Sequence, residues 1–319
     1  MPLIDLPLSQ LETYRPQLTR EPDFDAFWSQ TLEEGRHAPL HPRIEPVSYP
    51  VDGIRVATAS YDGWNGARIC GWYLLPESGG PHPALVFYHG YGGSKGTVYD
   101  YLPWLVQGYA VLAIDVRGQS GESSNPGNYP GGHVKGWMTQ GITDPKTYYY
   151  RGAFVDAVRA IDFLETQGND IDMQRLGVTG GSQGGGLTIA VAALDSRPVA
   201  AVAFVPFLCH YRRALTITDQ MPYGEISQYL RVYPEREAFV YRTLSYCDGM
   251  NLASNVRCPI MMTVGLQDLI CPPSTVYAAY NHLGAETKSL LVYPYNGHEG
   301  NPAHQEQRIG WLRDHVLRT

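Results

Sequence analysis

Ser182 stands at the centre of Gly180-Gly181-Ser182-Gln183-Gly184, a G-x-S-x-G pentapeptide inside the glycine-rich stretch GVTGGSQGGG (177–186). The apolar run RLGVTG (175–180) precedes it and an apolar helical pattern (183–194) follows. A serine on a sharp strand-to-helix turn is a candidate nucleophile. Small neighbours let the chain pass close to the sheet, and the next amide, Gln183 N–H, points to where negative charge develops. Other glycine-rich functions fit less well. A phosphate loop needs G-x-x-x-x-G-K-[ST], and there is no lysine here. A dinucleotide fingerprint needs G-x-G-x-x-G near the first strand with an acid at the end of the next. A flexible linker would not be flanked by apolar segments.

A serine hydroxyl is a weak nucleophile at neutral pH and needs a base, which in turn needs an orienting acid. On a strand-turn-helix nucleophile the order along the chain is serine, carboxylate, histidine. Asp268 in TVGLQDLICPP follows the apolar run 259–265, and His298 in YPYNGHEG follows the run 289–294. Each therefore falls in a loop at the carboxyl edge of a sheet, as Ser182 does. Glu299 is the alternative acid, but its adjacency to the base makes orientation awkward and favours a supporting role. His89 reads as structural, while His210, His304 and His315 fall on helical segments. A zinc reading of HEGNPAH fails, because a helical metalloprotease site wants histidines four apart with a glutamate between, and here they are six apart around a proline. No metal and no cofactor is expected.

A tetrahedral intermediate also needs donors for its oxyanion. YHGYGGSKG (88–96) follows the run 83–89 and is of the H-G-G-G loop type, which makes Tyr91 N–H the second donor beside Gln183 N–H. DVRGQSGES follows the run 109–115. Its Arg117 reads as a structural ion pair rather than a substrate clamp, with Asp115 as the expected partner.

These loops need a frame to hold them. Short apolar runs at 83–89, 109–115, 175–180, 199–206, 259–265 and 289–294 read as strands buried on both faces, hence a mostly parallel central sheet covered by helices on both sides. Helical patterns fall between them at 147–167, 183–194, 273–283 and 302–317. Residues 45–75 read as two alternating β segments around DGWNG. Residues 9–37 read as helical, with Phe24, Phe27 and Trp28 on one face. The expected organisation is a single domain over 1–319, with an N-terminal extension (1–45) and a helical insertion at 207–250 over one end of the sheet. The insertion carries Tyr211, Tyr223, Tyr229, Tyr233, Tyr241 and Tyr246, open to two roles: stacking on a substrate ring or packing.

With 44% hydrophobic and 17% charged residues, the 319-residue chain is globular in composition. A net charge of −7 without a basic block argues against nucleic acid or an anionic membrane as partner. No window approaches a membrane span. The N-terminus has no basic region before an apolar core, so it does not read as a signal peptide. Five scattered cysteines read as buried or reduced thiols rather than a disulfide framework. A cytoplasmic enzyme is the expectation.

RGQ (117–119), GGSQGG (180–185) and HE (298–299), together with HGYGG, DVRGQSGES, DLICPP and YPYNGHE, resemble the signature of carbohydrate esterase family seven, and the resemblance covers nearly the whole chain. It implies the α/β-hydrolase fold. It also implies a serine esterase that removes acetyl groups from xylo-oligosaccharides and from cephalosporin C, with Ser182, Asp268 and His298 as the triad and Tyr91 and Gln183 as oxyanion donors. The implied assembly is an intracellular homohexamer, a trimer of dimers with its sites on an internal cavity. The alternatives are another small-acyl carboxylesterase of this fold and a non-catalytic binding protein, although the latter usually lacks a triad member and none is missing here. A peptidase of the fold would bring a propeller or larger lid.

Overall fold

The computed structural model describes residues 4–77, 79–299, 301 and 303–318. Nine strands form one sheet: β1 (Arg43–Pro46), β2 (Ile54–Asp62), β3 (Arg68–Pro76), β4 (His82–Tyr88), β5 (Ala110–Ile114), β6 (Ile171–Gly181), β7 (Ala200–Phe204), β8 (Ile260–Gly265) and β9 (Lys288–Tyr293). Their order is β1-β2-β3-β5-β4-β6-β7-β8-β9. The first three strands and the β3–β5 pair are antiparallel, and from β5 to β9 every neighbour is parallel. This is the α/β-hydrolase architecture with helices on both faces. β4, β5, β7 and β8 are buried along their whole length, as continuous apolar runs require.

The helices are α1 (Leu8–Leu11), α2 (Phe24–His37), α3 (Leu102–Leu105), α4 (Tyr149–Glu165), α5 (Gln183–Leu194), α6 (Tyr211–Ile217), α7 (Tyr223–Val232), α8 (Glu237–Tyr246), α9 (Gly249–Ala253), α10 (Pro273–His282) and α11 (His304–Leu312). The last continues as a wider π turn over Arg313–Leu317. Its expected start at 302 lies outside the described residues, as do positions 1–3 of the N-terminal extension. Among the described residues no helix is long and apolar enough to cross a membrane, and no cysteine is in a disulfide.

Three features of the fold position the site. First, α5 is buried almost throughout, and its opening turn is wedged between the ends of β4 and β7. A Cβ on Gly184 would lie 1.9 Å from the Tyr88 carbonyl oxygen, so only glycine lets the helix start there. Second, 207–250 is helical as expected (α6, α7, α8) and is tied to the loop after β8 by Thr218 Oγ1, which donates to Leu269 O at 2.5 Å. Third, the N-terminal segment wraps the molecule. Phe24 and Trp28 of α2 are buried, and Trp28 Nε1 donates to Tyr246 O at 2.8 Å. Arg20 Nε reaches Asn251 O at 2.8 Å.

Arg117 is buried and bonded in fork geometry to Asp156 of α4, at 2.6 Å through Nε and 2.7 Å through Nη2, with a further bond to Trp64 O at 3.0 Å. Its partner is therefore Asp156, not Asp115. Asp115 turns instead to Lys95, accepting from its amide at 2.5 Å and its ammonium at 2.9 Å. A helix carboxylate facing the guanidinium offers both oxygens at once, which a sequence neighbour two residues away does not. Burial opposes the charge of Arg117, and Asp156 more than offsets it, so the guanidinium pKa stands above its ordinary value. Removing one member of such a buried pair leaves the other charge uncompensated. Asp156→Ala is expected to cost about 3–5 kcal/mol of stability, read from urea unfolding; a loss under about 1 kcal/mol would match an exposed pair instead.

Candidate active site

Ser182 follows the last residue of β6 and immediately precedes α5. Its backbone has φ 56° and ψ −118°, a left-handed conformation that few non-glycine residues adopt. Asp268 lies three residues past β8 and His298 five residues past β9, so three parallel strands deliver their loops to one edge. The side chains meet there. His298 Nε2 is 2.9 Å from Ser182 Oγ, and His298 Nδ1 is 2.8 Å from Asp268 Oδ2. The Asp268 carboxylate is fully buried, and its other oxygen accepts the amides of Ile270 and Cys271, each at 2.8 Å. Its lone pairs are thus engaged by two backbone donors and the imidazole. A carboxylate can only accept, so Nδ1 carries the proton toward Asp268, and Nε2 faces the serine as the acceptor.

The turn after β4 lies beside the serine: a Cβ on Gly90 would stand 3.8 Å from Ser182 Cβ. His89 secures this turn from within. Its Nδ1 donates to Gly90 O at 2.7 Å and its Nε2 accepts from Val116 N at 2.8 Å. Burial lowers its pKa, in keeping with a neutral ring. Gln183 opens α5, and an amide in the first turn of a helix has no partner within that helix, so its N–H is available to a ligand. Glu299 is turned away from this work. Its carboxylate accepts from Gly297 N at 3.0 Å and from Asn296 Nδ2 at 3.4 Å, closing its own turn.

Two residues of the site were given no role by the sequence, although Gln119 falls in the RGQ stretch that carries the family resemblance. Glu225, on α7, is buried and accepts the Tyr91 hydroxyl at 2.8 and 2.9 Å and Met138 N at 3.1 Å. The same hydroxyl accepts Trp137 N at 2.6 Å, so the insertion, the turn after β4 and the 133–140 loop share one knot. Gln119 of the RGQ stretch is the other; its amide faces that of Gln183. Of the six insertion tyrosines, Tyr211, Tyr223, Tyr229 and Tyr246 are buried in the core, which rules out ring stacking on a substrate for these four. Beside the turn after β4 lies a cavity of about 780 Å³, lined by Tyr91, Trp137, Met221, Gln140 and Gln228, with His133 and Lys135 also on its wall.

Asp268, Cys271 and His298 present ligand-type atoms within 4.8 Å of one another. A metal there would have to displace the Nδ1 proton from between imidazole and carboxylate. A surface cleft of about 940 Å³ lies where α4 and α5 end, lined by Arg159, Asp162, Asp195 and Arg197. It is a helix length, about 18 Å, from Ser182, and Arg197 there is engaged by Asp162, Glu165 and Asp195.

A family model described as acetyl xylan esterase matches residues 1–315. Acetyl esterase Axe7A of Xylanibacter ruminicola is 28% identical over 317 residues, which span 96% of this chain and 70% of that protein. Among solved structures, the acetyl xylan esterase from Paenibacillus sp. R4 superposes with a TM-score of 0.95 at 46% identity, covering 98% of this chain and 100% of the other. Acetyl xylan esterase 1 from Thermoanaerobacterium sp. JW/SL YS485 superposes with a TM-score of 0.93 at 35% identity, covering 97% and 99%.

Burial holds the Glu225 carboxyl above its ordinary range, against hydrogen bonds from Tyr91 and the Met138 amide that favour its charge. The folded chain therefore takes up this proton before the unfolded chain does, and its contribution to stability grows as pH falls. Glu225→Gln removes the titration. The stability difference between wild type and Glu225→Gln should shift toward the wild type as pH is lowered from neutrality to about 4.5, measured as urea midpoints at fixed ionic strength. A difference that does not vary with pH would refute the burial argument.

Proposed function

The chain belongs to the acetyl xylan esterase family and is a carboxylic ester hydrolase, and on that premise we propose that it removes acetyl groups from acetylated xylo-oligosaccharides and from cephalosporin C through an acetyl-enzyme on Ser182. The observation that carries this reading is the unbroken relay from Ser182 Oγ through His298 to Asp268, at 2.9 and 2.8 Å.

In the first half of the reaction His298 Nε2 takes the Ser182 proton as Oγ attacks the acetyl carbonyl carbon. The carbonyl oxygen becomes an oxyanion held by the amides of Tyr91 and Gln183. Asp268 fixes the imidazole tautomer and stabilises the imidazolium. As the tetrahedral adduct collapses, the C–O bond to the alcohol breaks, and the alcohol leaves with the proton from His298. Water then enters, gives a proton to His298 and attacks the acetyl-enzyme; acetate leaves and Ser182 regains its proton. No step needs a metal or a cofactor.

The cavity beside the oxyanion turn supports a small, polar alcohol as the leaving group. Its phenol and indole faces, with amide, imidazole and ammonium groups around them, suit a sugar ring. The buried tyrosines of the insertion favour the same reading, since they close the core rather than opening a slot for a long acyl chain. A cytoplasmic homohexamer with sites on an internal chamber belongs to this reading, and would admit short oligosaccharides while excluding polymeric xylan.

Ser182→Ala is expected to lower kcat on p-nitrophenyl acetate on the order of 10⁵-fold with the melting temperature little changed. Wild-type activity in that variant would end the proposal. The acyl preference is a separate expectation: p-nitrophenyl acetate should be cleaved much faster than the octanoate, and equal kcat/KM for the two would reject a small-acyl site. Deacetylation of acetylated xylobiose and of cephalosporin C, followed by released acetate, tests the two substrate classes directly.

A further inference from the structure

We propose that Gln119 is a positioning residue of the esterase site: its side-chain amide, paired with that of Gln183, sets the geometry of the two oxyanion donors. The inference rests on the reading of Tyr91 and Gln183 as those donors.

A primary amide offers two N–H groups and two lone pairs. Gln119 uses all four. Its Oε1 accepts Gly92 N at 2.8 Å and Gln183 Nε2 at 3.2 Å. Its Nε2 donates to Gln183 Oε1 at 2.8 Å and to Tyr149 Oη at 2.9 Å. Gln183 is equally engaged: Oε1 also accepts the Tyr150 hydroxyl at 2.9 Å, and Nε2 also reaches His89 O at 3.5 Å. The amide orientations follow from the neighbours. Gly92 N–H needs an oxygen, and Tyr149 gives its own proton to Arg117 O at 2.6 Å, so it must accept from Gln119.

The contacts bracket one peptide group. The oxyanion amide of Tyr91 belongs to the 90–91 peptide. The preceding 89–90 peptide is held by its carbonyl to Gln183, and the following 91–92 peptide is held by its N–H to Gln119. The second donor is the backbone amide of Gln183 itself. The reciprocal amide pair therefore spans the loops after β4 and β6 from a third loop, after β5, in a buried position where each bond is shielded from water. Arg117, locked to Asp156, and Tyr149, at the start of α4, hold Gln119 in turn. Donors aimed at a developing charge act only when their geometry is set in advance. An amide that fixes the distance between two such donors should thus affect the transition state far more than ground-state binding.

The test compares Gln119→Met, which keeps the side-chain length and removes every hydrogen bond, with wild type and Ser182→Ala. Rates on p-nitrophenyl acetate are normalised to folded sites by titration with a serine-directed phosphonate, except for Ser182→Ala, which lacks the serine and is normalised to protein concentration. The expected result is a fall in kcat of about 10–100-fold, with KM within about twofold and a matching loss of affinity for a trifluoromethyl ketone, a mimic of the tetrahedral state. Normalised kcat within about twofold of wild type, or a rise in KM alone, overturns the proposal. Should Gln119→Met fail to fold, Tyr149→Phe decides, because it removes one bond from Gln119 and keeps the ring. There a kcat loss of about 3–10-fold at constant KM is expected, and no loss overturns the proposal. If Ser182→Ala retains full activity, the triad reading fails; if it is inactive while the Gln119 and Tyr149 variants are not, only the positioning role falls.

Discussion

The site depends on a backbone turn that the chain adopts at a cost. At φ 56° and ψ −118°, Ser182 lies outside the regions a side chain ordinarily permits, and such a conformation costs on the order of 1–3 kcal/mol. Hydrogen bonds hold it in place. Ser182 N–H donates to Phe204 O at 2.9 Å, and the Ser182 carbonyl accepts Gly186 N at 3.0 Å and Phe207 N at 2.9 Å. The glycines beside it remove the volume that would push α5 off the ends of β4 and β7. In an ordinary helical or extended conformation the chain would carry Oγ in another direction, and the imidazole after β9 would have nothing to meet. Strain at the turn, close approach of the helix and the serine–histidine contact are thus one constraint seen at three scales.

Much of this was legible in the sequence because it is encoded locally. The runs that become β4, β5, β7, β8 and the end of β6 are apolar without alternation, as strands buried on both faces must be, whereas β9, at the sheet edge, is only half-buried; the ends of all six locate the loops. The glycines of 180–186 declare a turn that no other residue would fit. Strand order in a parallel sheet then brings the carboxyl ends of β6, β8 and β9 to one edge, so positions 182, 268 and 298, far apart in the chain, become neighbours without any motif that joins them. The helical character of 207–250 was likewise readable from its pattern.

What the sequence withheld are contacts between side chains that share no local pattern. Asp115 is two residues from Arg117, and Asp156 is thirty-nine residues away, yet the distant carboxylate takes the guanidinium because α4 packs its face there. Glu225 meets the Tyr91 hydroxyl across 134 residues, and Gln119 meets Gln183 across 64. A glutamate in a polar-looking helix and a glutamine after a glycine carry no sign that burial awaits them. The insertion tyrosines show the same limit. Composition suggests two uses for an aromatic ring, and only packing reveals that Tyr223 is spent on Cys209, bonding both its amide and its carbonyl.

Asp268 shows how far this dependence reaches. Asp268 is satisfied by amides of its own loop, so its position is only as well defined as that loop, and the loop is held from outside. Leu269 O takes the Thr218 hydroxyl of the insertion. Ser274 N, at the start of α10, donates to Asp5 Oδ2 at 2.7 Å, and Arg213 of α6 binds the other oxygen of Asp5 at 2.9 Å. Asn281 of α10 reaches Leu11 O at 3.1 Å and Tyr14 O at 2.8 Å. The N-terminal segment and the insertion, which lie outside the parallel sheet, therefore clamp the two ends of the stretch that carries the carboxylate. A relay of two hydrogen bonds through one imidazole needs Asp268 held as firmly as Ser182. In this molecule β6 and α5 fix Ser182, whereas the stretch around Asp268 is fixed by two earlier segments of the chain, reached across 51 residues at Leu269 and 269 residues at Ser274.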